Sequence, residues 1–104
     1  MAHWTFLTNH AQVFLCVARA SRISARAIAG QVGITERAVQ RILHDLEEEG
    51  YLSHIREGRH NHYQIHAELP MRHPAQGGIP VRELLELLDI ERTPIRSVQR
   101  DEAG

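Results

Sequence analysis

Two short amphipathic segments that meet at one glycine constrain this chain more than any other feature. Residues 25–32 read ARAIAGQV and residues 36–49 read ERAVQRILHDLEEE, with Gly33, Ile34 and Thr35 between them. Ser24 and Thr35 each stand just before an apolar-periodic run, where a hydroxyl accepts from the unpaired amides of a first helical turn. Gly33 ends the first run, and glycine takes the left-handed backbone of a sharp helix stop without the steric cost of a Cβ. In the second run Val39, Ile42, Leu43 and Leu46 fall on one helical face, with Arg37, Arg41 and His44 opposite and Gln40 on the flank. Two helices joined by so short a turn must share a core, and Ile28, Val32, Ile34, Val39 and Ile42 are spaced to supply it. Ala29 is small where the two helices cross, which lets their backbones approach.

The flanks extend the pattern. Asn9 is a good N-cap for an earlier helix, HAQVFLCVARA over residues 10–20, which is apolar all round except for a thin stripe of Gln12 and Arg19. A helix of that kind is buried on more than one side, and a partner subunit is expected to cover one of them. Trp4, Phe6 and Leu7 add apolar area just before it. Ile23 lies in a segment read as a short strand. After Gly50, YLSHIR and NHYQIH read as two strands; Tyr63 and Ile65 alternate with His62, Gln64 and His66, the period of a half-buried strand. The intervening EGRH contains Gly58 and reads as a hairpin tip. Pro70, Pro74, Gly77, Gly78 and Pro80 mark a connector, and Pro80 suits the first turn of a fourth helix, VRELLELLDI. Val81, Leu84, Leu85 and Leu88 form one stripe on that helix. The resulting division is a domain over residues 1–69, a connector over 70–80, a helix over 81–90 that is a candidate dimer contact, and a frayed polar tail over 91–104.

Helix, short strand, helix, helix and two-stranded hairpin is the layout of a winged helix. The expected fold class is therefore α+β: a winged helix-turn-helix, with a three-helix core and a β-hairpin wing, plus an additional C-terminal helix. The stretch IAGQVGITERAVQRILHDLEEEGYL resembles the helix-turn-helix of the MarR-like winged-helix regulators, and the similarity covers residues 9–66. That resemblance implies a sequence-specific transcription regulator that binds double-stranded DNA with its third helix in the major groove. The groove-facing residues would be Thr35, Glu36, Arg37, Gln40, Arg41 and His44; arginine pairs with guanine, glutamine with adenine, and glutamate accepts from cytosine. The hairpin would be the wing, with Arg56, Arg59, His60 and Asn61 near its tip, lying along the backbone or reaching into the minor groove. Arg59 is the best placed for a narrow groove, where negative potential concentrates. MarR-like regulators carry longer terminal helices that build a dimer and an effector pocket, whereas only residues 81–90 are available here. A homodimer is expected, with Trp4, Phe6, Leu15, Val81, Leu84, Leu85 and Leu88 at its interface.

Charge bears on this reading in two directions. A net charge of −1 is unlike a non-specific DNA coat protein, since phosphate contacts dominate affinity, so the location of charge has to matter more than its sum. All twelve basic residues are arginine, which suits phosphate and guanine edges, although an Arg-favouring codon usage explains the bias equally well. Glu47, Glu48 and Glu49 oppose the helix dipole and repel phosphate, so they are expected to form a solvated face turned away from DNA.

Other function classes find less support. Eight histidines, with His54, His60, His62 and His66 on or near the hairpin, raise a metal-sensing repressor of the ArsR type. Cys16 is the only cysteine, and the last helix lacks the acid-and-histidine ligand set of such sensors, so no metal or other cofactor is expected. The histidines read as polar strand residues, or as DNA contacts near the tip. There is no Gly-rich phosphate loop, nucleophile elbow or HExxH, and a thiol in an apolar helix is inert, so no enzyme is expected. No apolar stretch approaches the roughly 20 residues that cross a bilayer, and the first seven residues lack the features of a signal peptide. A cytoplasmic protein with no membrane partner is expected. The alternative function is a winged helix used as a protein-interaction module without DNA binding.

Overall fold

Hydroxyl side chains start three successive helices: α1 (Asn9–Arg19), α2 (Ala25–Val32) and α3 (Glu36–Glu48). Thr8, Ser24 and Thr35 each accept from the backbone N–H three residues on, all at 3.1 Å. The first of these differs from expectation, because Thr8 is the cap and Asn9 is already helical. Both residue types cap well, and the one whose oxygen reaches the third amide wins. The computed structural model describes residues 4–88. The chain divides into two units, Met1–His66 and Ala67–Gly104.

In the first unit α2 stops at Gly33, whose φ of 85° is left-handed. The N–H groups of Gly33 and Ile34 both donate to the Ala29 carbonyl, at 2.8 and 3.2 Å, closing the turn that delivers Thr35 to α3. The core is built from Val13, Phe14, Leu15, Cys16 and Val17 of α1, Ile28 of α2, and Val39, Ile42 and Leu43 of α3. Val32, Ile34 and Leu46 are half-buried at its margin. The apolar circumference of α1 is explained within this unit, because α2, α3 and the hairpin strand β2 all pack on it. Its Cys16 thiol donates to the Gln31 side-chain oxygen at 3.5 Å. Burial pushes that thiol above its ordinary value, with Arg19 opposing the shift.

The hairpin consists of β1 (Leu52–Glu57) and β2 (His60–Ile65), antiparallel, in a register that runs from Leu52 opposite Ile65 to Glu57 opposite His60. Gly58, with φ of 61°, and Arg59 form a two-residue tip. Leu52 and Tyr63 are buried, so the face shared by Leu52, His54, Arg56, Asn61, Tyr63 and Ile65 is the one turned toward the helices. The segment at Ile23 forms no strand. Its N–H bonds back to the Ala20 carbonyl in a turn, at 3.0 Å, and that bend leaves one pairing contact, Tyr63 N–H to the Ser21 carbonyl at 2.8 Å.

The second unit begins with buried Ala67. Residues 70–80 make a closed loop, bridged at Pro70 and Pro80 and by the Met71 N–H on the Ile79 carbonyl, with one 3-10 turn at Pro74–Gln76. Helix α4 (Val81–Leu87) has Pro80 at its cap position and no side-chain cap. The carbonyls of Leu69 and Ala67 instead accept from Val81 and Arg82, both at 2.9 Å. Residues 89 and 90 of the expected fourth helix, and the tail over 91–104, lie outside the described residues. Among the described residues no helix is long and apolar enough to cross a membrane.

Candidate nucleic-acid interface

The seam that buries Val39, Ile42 and Leu43 fixes which side of α3 faces out. Glu36, Arg37, Gln40, Arg41 and His44 are all exposed on that outer side, with Thr35 exposed at the cap. Arg37, Gln40 and Arg41 make no hydrogen bond or ion pair within the described residues, so their polar groups are available to a ligand. His44 is different: its Nε2 lies 3.8 Å from Glu48 on the next turn.

The acidic end of α3 is engaged by histidines. His10 of α1 bonds Asp45 at 2.8 Å, His54 of β1 bonds Glu47, and Glu48 faces His44. Glu47 is therefore half-buried against the hairpin, which corrects the expectation of a purely solvated Glu47–Glu49 face. His54, His62 and His66, on or near the hairpin, are also accounted for locally. His54 sits 5.7 Å from the Tyr63 ring, His62 contacts Glu57 at 3.3 Å, and His66 bonds Ser53 at 3.1 Å. Among the described residues no three histidine, cysteine or carboxylate side chains converge as a metal site would require.

At the tip Arg56 is committed to the hairpin itself, donating from Nε to the Gly58 carbonyl at 2.9 Å and from Nη1 to Asn61 at 3.5 Å. Arg59 and His60 are exposed and have no partner among the described residues. A cleft of about 120 Å³ lies between α3 and the hairpin, lined by Gln40 of α3, by Arg56, Arg59, His60 and Asn61 of the hairpin, and by Arg22 and Ser24 just before α2. The geometry thus brings Gln40 together with the four expected hairpin residues. It leaves Glu36, Arg37 and Arg41 on the open outer face of α3.

Residues 12–53 match the family model described as winged helix-turn-helix DNA-binding. Among solved structures, T. potens IscR is similar with a TM-score of 0.51 at 18% identity, over 96% of this chain and 72% of that one. No curated protein matches the sequence. The fold is a winged helix-turn-helix. In this winged helix α2 and α3 form the helix-turn-helix and β1 and β2 form the wing.

Two arginines of the winged helix were not singled out from sequence. Arg22 lines the cleft and pairs with Glu57 at 3.0 Å, and Arg26 is exposed on the first turn of α2 with no partner among the described residues. Their flanking of the Ser24 cap was the available signal. The expected dimer contacts also need correction. Leu15 and Leu85 are buried in the single chain, at 8% and 0% exposure, and offer no surface to a second subunit. For Leu15 the reason is that α2, α3 and β2 already pack on α1. Val81 and Leu84 are half-buried, whereas Trp4, Phe6 and Leu88 are exposed, and Trp4 stacks edge-on against Phe6 at 5.2 Å.

Proposed function

We propose that this winged helix binds double-stranded DNA in a sequence-specific manner and acts as a transcription regulator. The observation that carries the reading is the partition of charge on α3. Its N-terminal half presents Arg37, Gln40 and Arg41 unpaired, while Asp45, Glu47 and Glu48 in its C-terminal half face histidines. A net charge near zero is thereby compatible with a cationic docking face. The winged-helix family match over residues 12–53 supports the same reading. The outer face of α3 enters the major groove, α2 crosses the backbone with Arg26, and the wing carries Arg59 to the backbone or the adjacent minor groove. The MarR-like order of elements within residues 9–66 is part of this proposal, as is a twofold assembly that would place two α3 helices about one DNA turn apart. The exposed Trp4–Phe6 pair and Leu88 support that assembly.

The test is a selection of preferred sites from random duplex DNA, followed by titration of the Arg37→Ala plus Arg41→Ala variant on the selected site. Each base-reading arginine lost should cost about 1–3 kcal/mol and relax preference at one position. A folded double variant with unchanged affinity and unchanged preference would refute this docking. Failure of the wild-type chain to bind any duplex would leave the winged helix as a protein-interaction module.

A further inference from the structure

We infer that the cleft between the Arg22 turn, α3 and the wing seats one phosphate of the DNA backbone, and that Glu57 competes with that phosphate for Arg22. The inference rests on the DNA-binding reading above and adds residues that the reading does not use. A strand running from an α3 in the major groove to a wing in the next groove has to cross the gap between them. That gap is lined by Arg22, Arg56 and Arg59, with Gln40 and Asn61 as neutral donors. All three arginines line this one opening, and guanidinium groups are chemistry for an oxyanion, with Arg56 already engaged by Gly58 and Asn61.

Arg22 is nevertheless occupied. Its Nε donates to Glu57 at 3.0 Å, its Nη2 lies 3.5 Å from His62, and His62 contacts the other oxygen of Glu57 at 3.3 Å. The Arg22 guanidinium, assisted by His62, holds the Glu57 carboxyl below its ordinary value, so at neutral pH it is a full negative charge beside the opening. The wing does not depend on this ion pair for its position. The Tyr63 N–H bond to the Ser21 carbonyl, at 2.8 Å, already ties the hairpin to the same turn, and the paired register fixes the strand ends. Both partners are exposed, at 61% for Arg22 and 43% for Glu57, and exposed pairs contribute little to stability. An exposed carboxylate that holds a cleft arginine is thus better placed to be exchanged for a phosphate than to brace the wing. Duplex binding transfers Arg22 from Glu57 to the backbone, and Glu57 lowers affinity by the work of that exchange.

The experiment measures duplex affinity for the full chain, for Glu57→Gln, for Arg22→Ala and for the double variant, with folding checked by circular dichroism. Glu57→Gln should bind about 2- to 5-fold more tightly, the range set by an exposed ion pair. That gain should disappear in the Arg22→Ala background, as expected for two residues coupled directly. Unchanged or weaker binding by Glu57→Gln would overturn the proposal and make the pair a brace. An equal gain with and without Arg22 would also overturn it, leaving only a general charge effect. The Arg22 Nε–H resonance should shift with duplex and stay in place with inorganic phosphate at the same phosphate concentration. An equal shift with inorganic phosphate would overturn the assignment to a DNA backbone. If the folded wild-type chain binds no duplex, the DNA-binding reading falls and this inference with it; if it binds and only the Glu57 effect is missing, this inference alone fails.

Discussion

Replacing Gly33 with alanine isolates the backbone cost of the helix-turn-helix turn. Gly33 sits at φ 85°, and a Cβ built there meets nothing within 4 Å, so no packing clash contributes. The penalty is then the left-handed conformation alone, about 1–2 kcal/mol for an L-residue. Gly30 supplies the control, because it lies in the same helix at ordinary helical angles and its Cβ position is equally open. Gly30→Ala should stabilise by about 0.5–1 kcal/mol through helix propensity and a smaller unfolded-state entropy. Urea unfolding followed by circular dichroism reads both effects at one protein concentration, which keeps any assembly contribution constant. With a slope of about 1–3 kcal/mol per molar, Gly33→Ala should lower the midpoint by roughly 0.3–2 M while Gly30→Ala raises it. Gly33→Asn should fall between wild type and Gly33→Ala, since asparagine tolerates the left-handed region. Equal signs for the two alanine substitutions, or a neutral Gly33→Ala, would refute the argument.

Three further outcomes are expected. Arg59→Ala should weaken duplex binding, leave the preferred bases unchanged and reduce the salt slope by about one unit, as read from binding isotherms at several salt concentrations. Cys16 should react with a thiol reagent far more slowly in the native chain than in urea. Its raised native pKa means the folded state holds the proton longer, so chemical denaturation should show stability falling as pH rises past about the ordinary value of 9.0. Trp4→Ala with Phe6→Ala should shift sedimentation equilibrium toward monomer, and unchanged assembly would move the interface away from the start of the chain.

Much of the fold was legible because its determinants are local. Ser24, Gly33 and Thr35 act within four residues of their own positions, and the apolar seam of α3 follows from helical periodicity. The segment at Ile23 was misread because its composition suits a strand while the turn from Ala20 limits it to a single pairing bond. Pairing of His10 with Asp45, and of Arg22 with Glu57, joins residues 35 apart in each case, a distance over which no sequence period carries information. The same gap hid the cleft, since its lining joins residues just before α2 to residues of the hairpin. Leu15 and Leu85 were assigned to an interface because amphipathicity reports that a side chain is covered, not which part of the protein covers it.

The paired register of the wing also restricts how its length can vary. Each strand has six residues, so at about 3.4 Å per residue the hairpin extends Arg59 roughly 20 Å from the base. Adding one residue to each strand would lengthen that reach by only one step, yet it would turn every side chain beyond the insertion to the opposite face. Arg56 and Asn61 would then turn away from the cleft, and Glu57 would turn toward it. Two residues per strand restore the original facing and carry the tip about 7 Å farther. Paired insertions within the strands, between Leu52 and Arg56 and between Asn61 and Ile65, therefore preserve the facing of the cleft residues only in multiples of about four residues in all, and wings whose strands differ by one residue each present a different set of groups to their ligand.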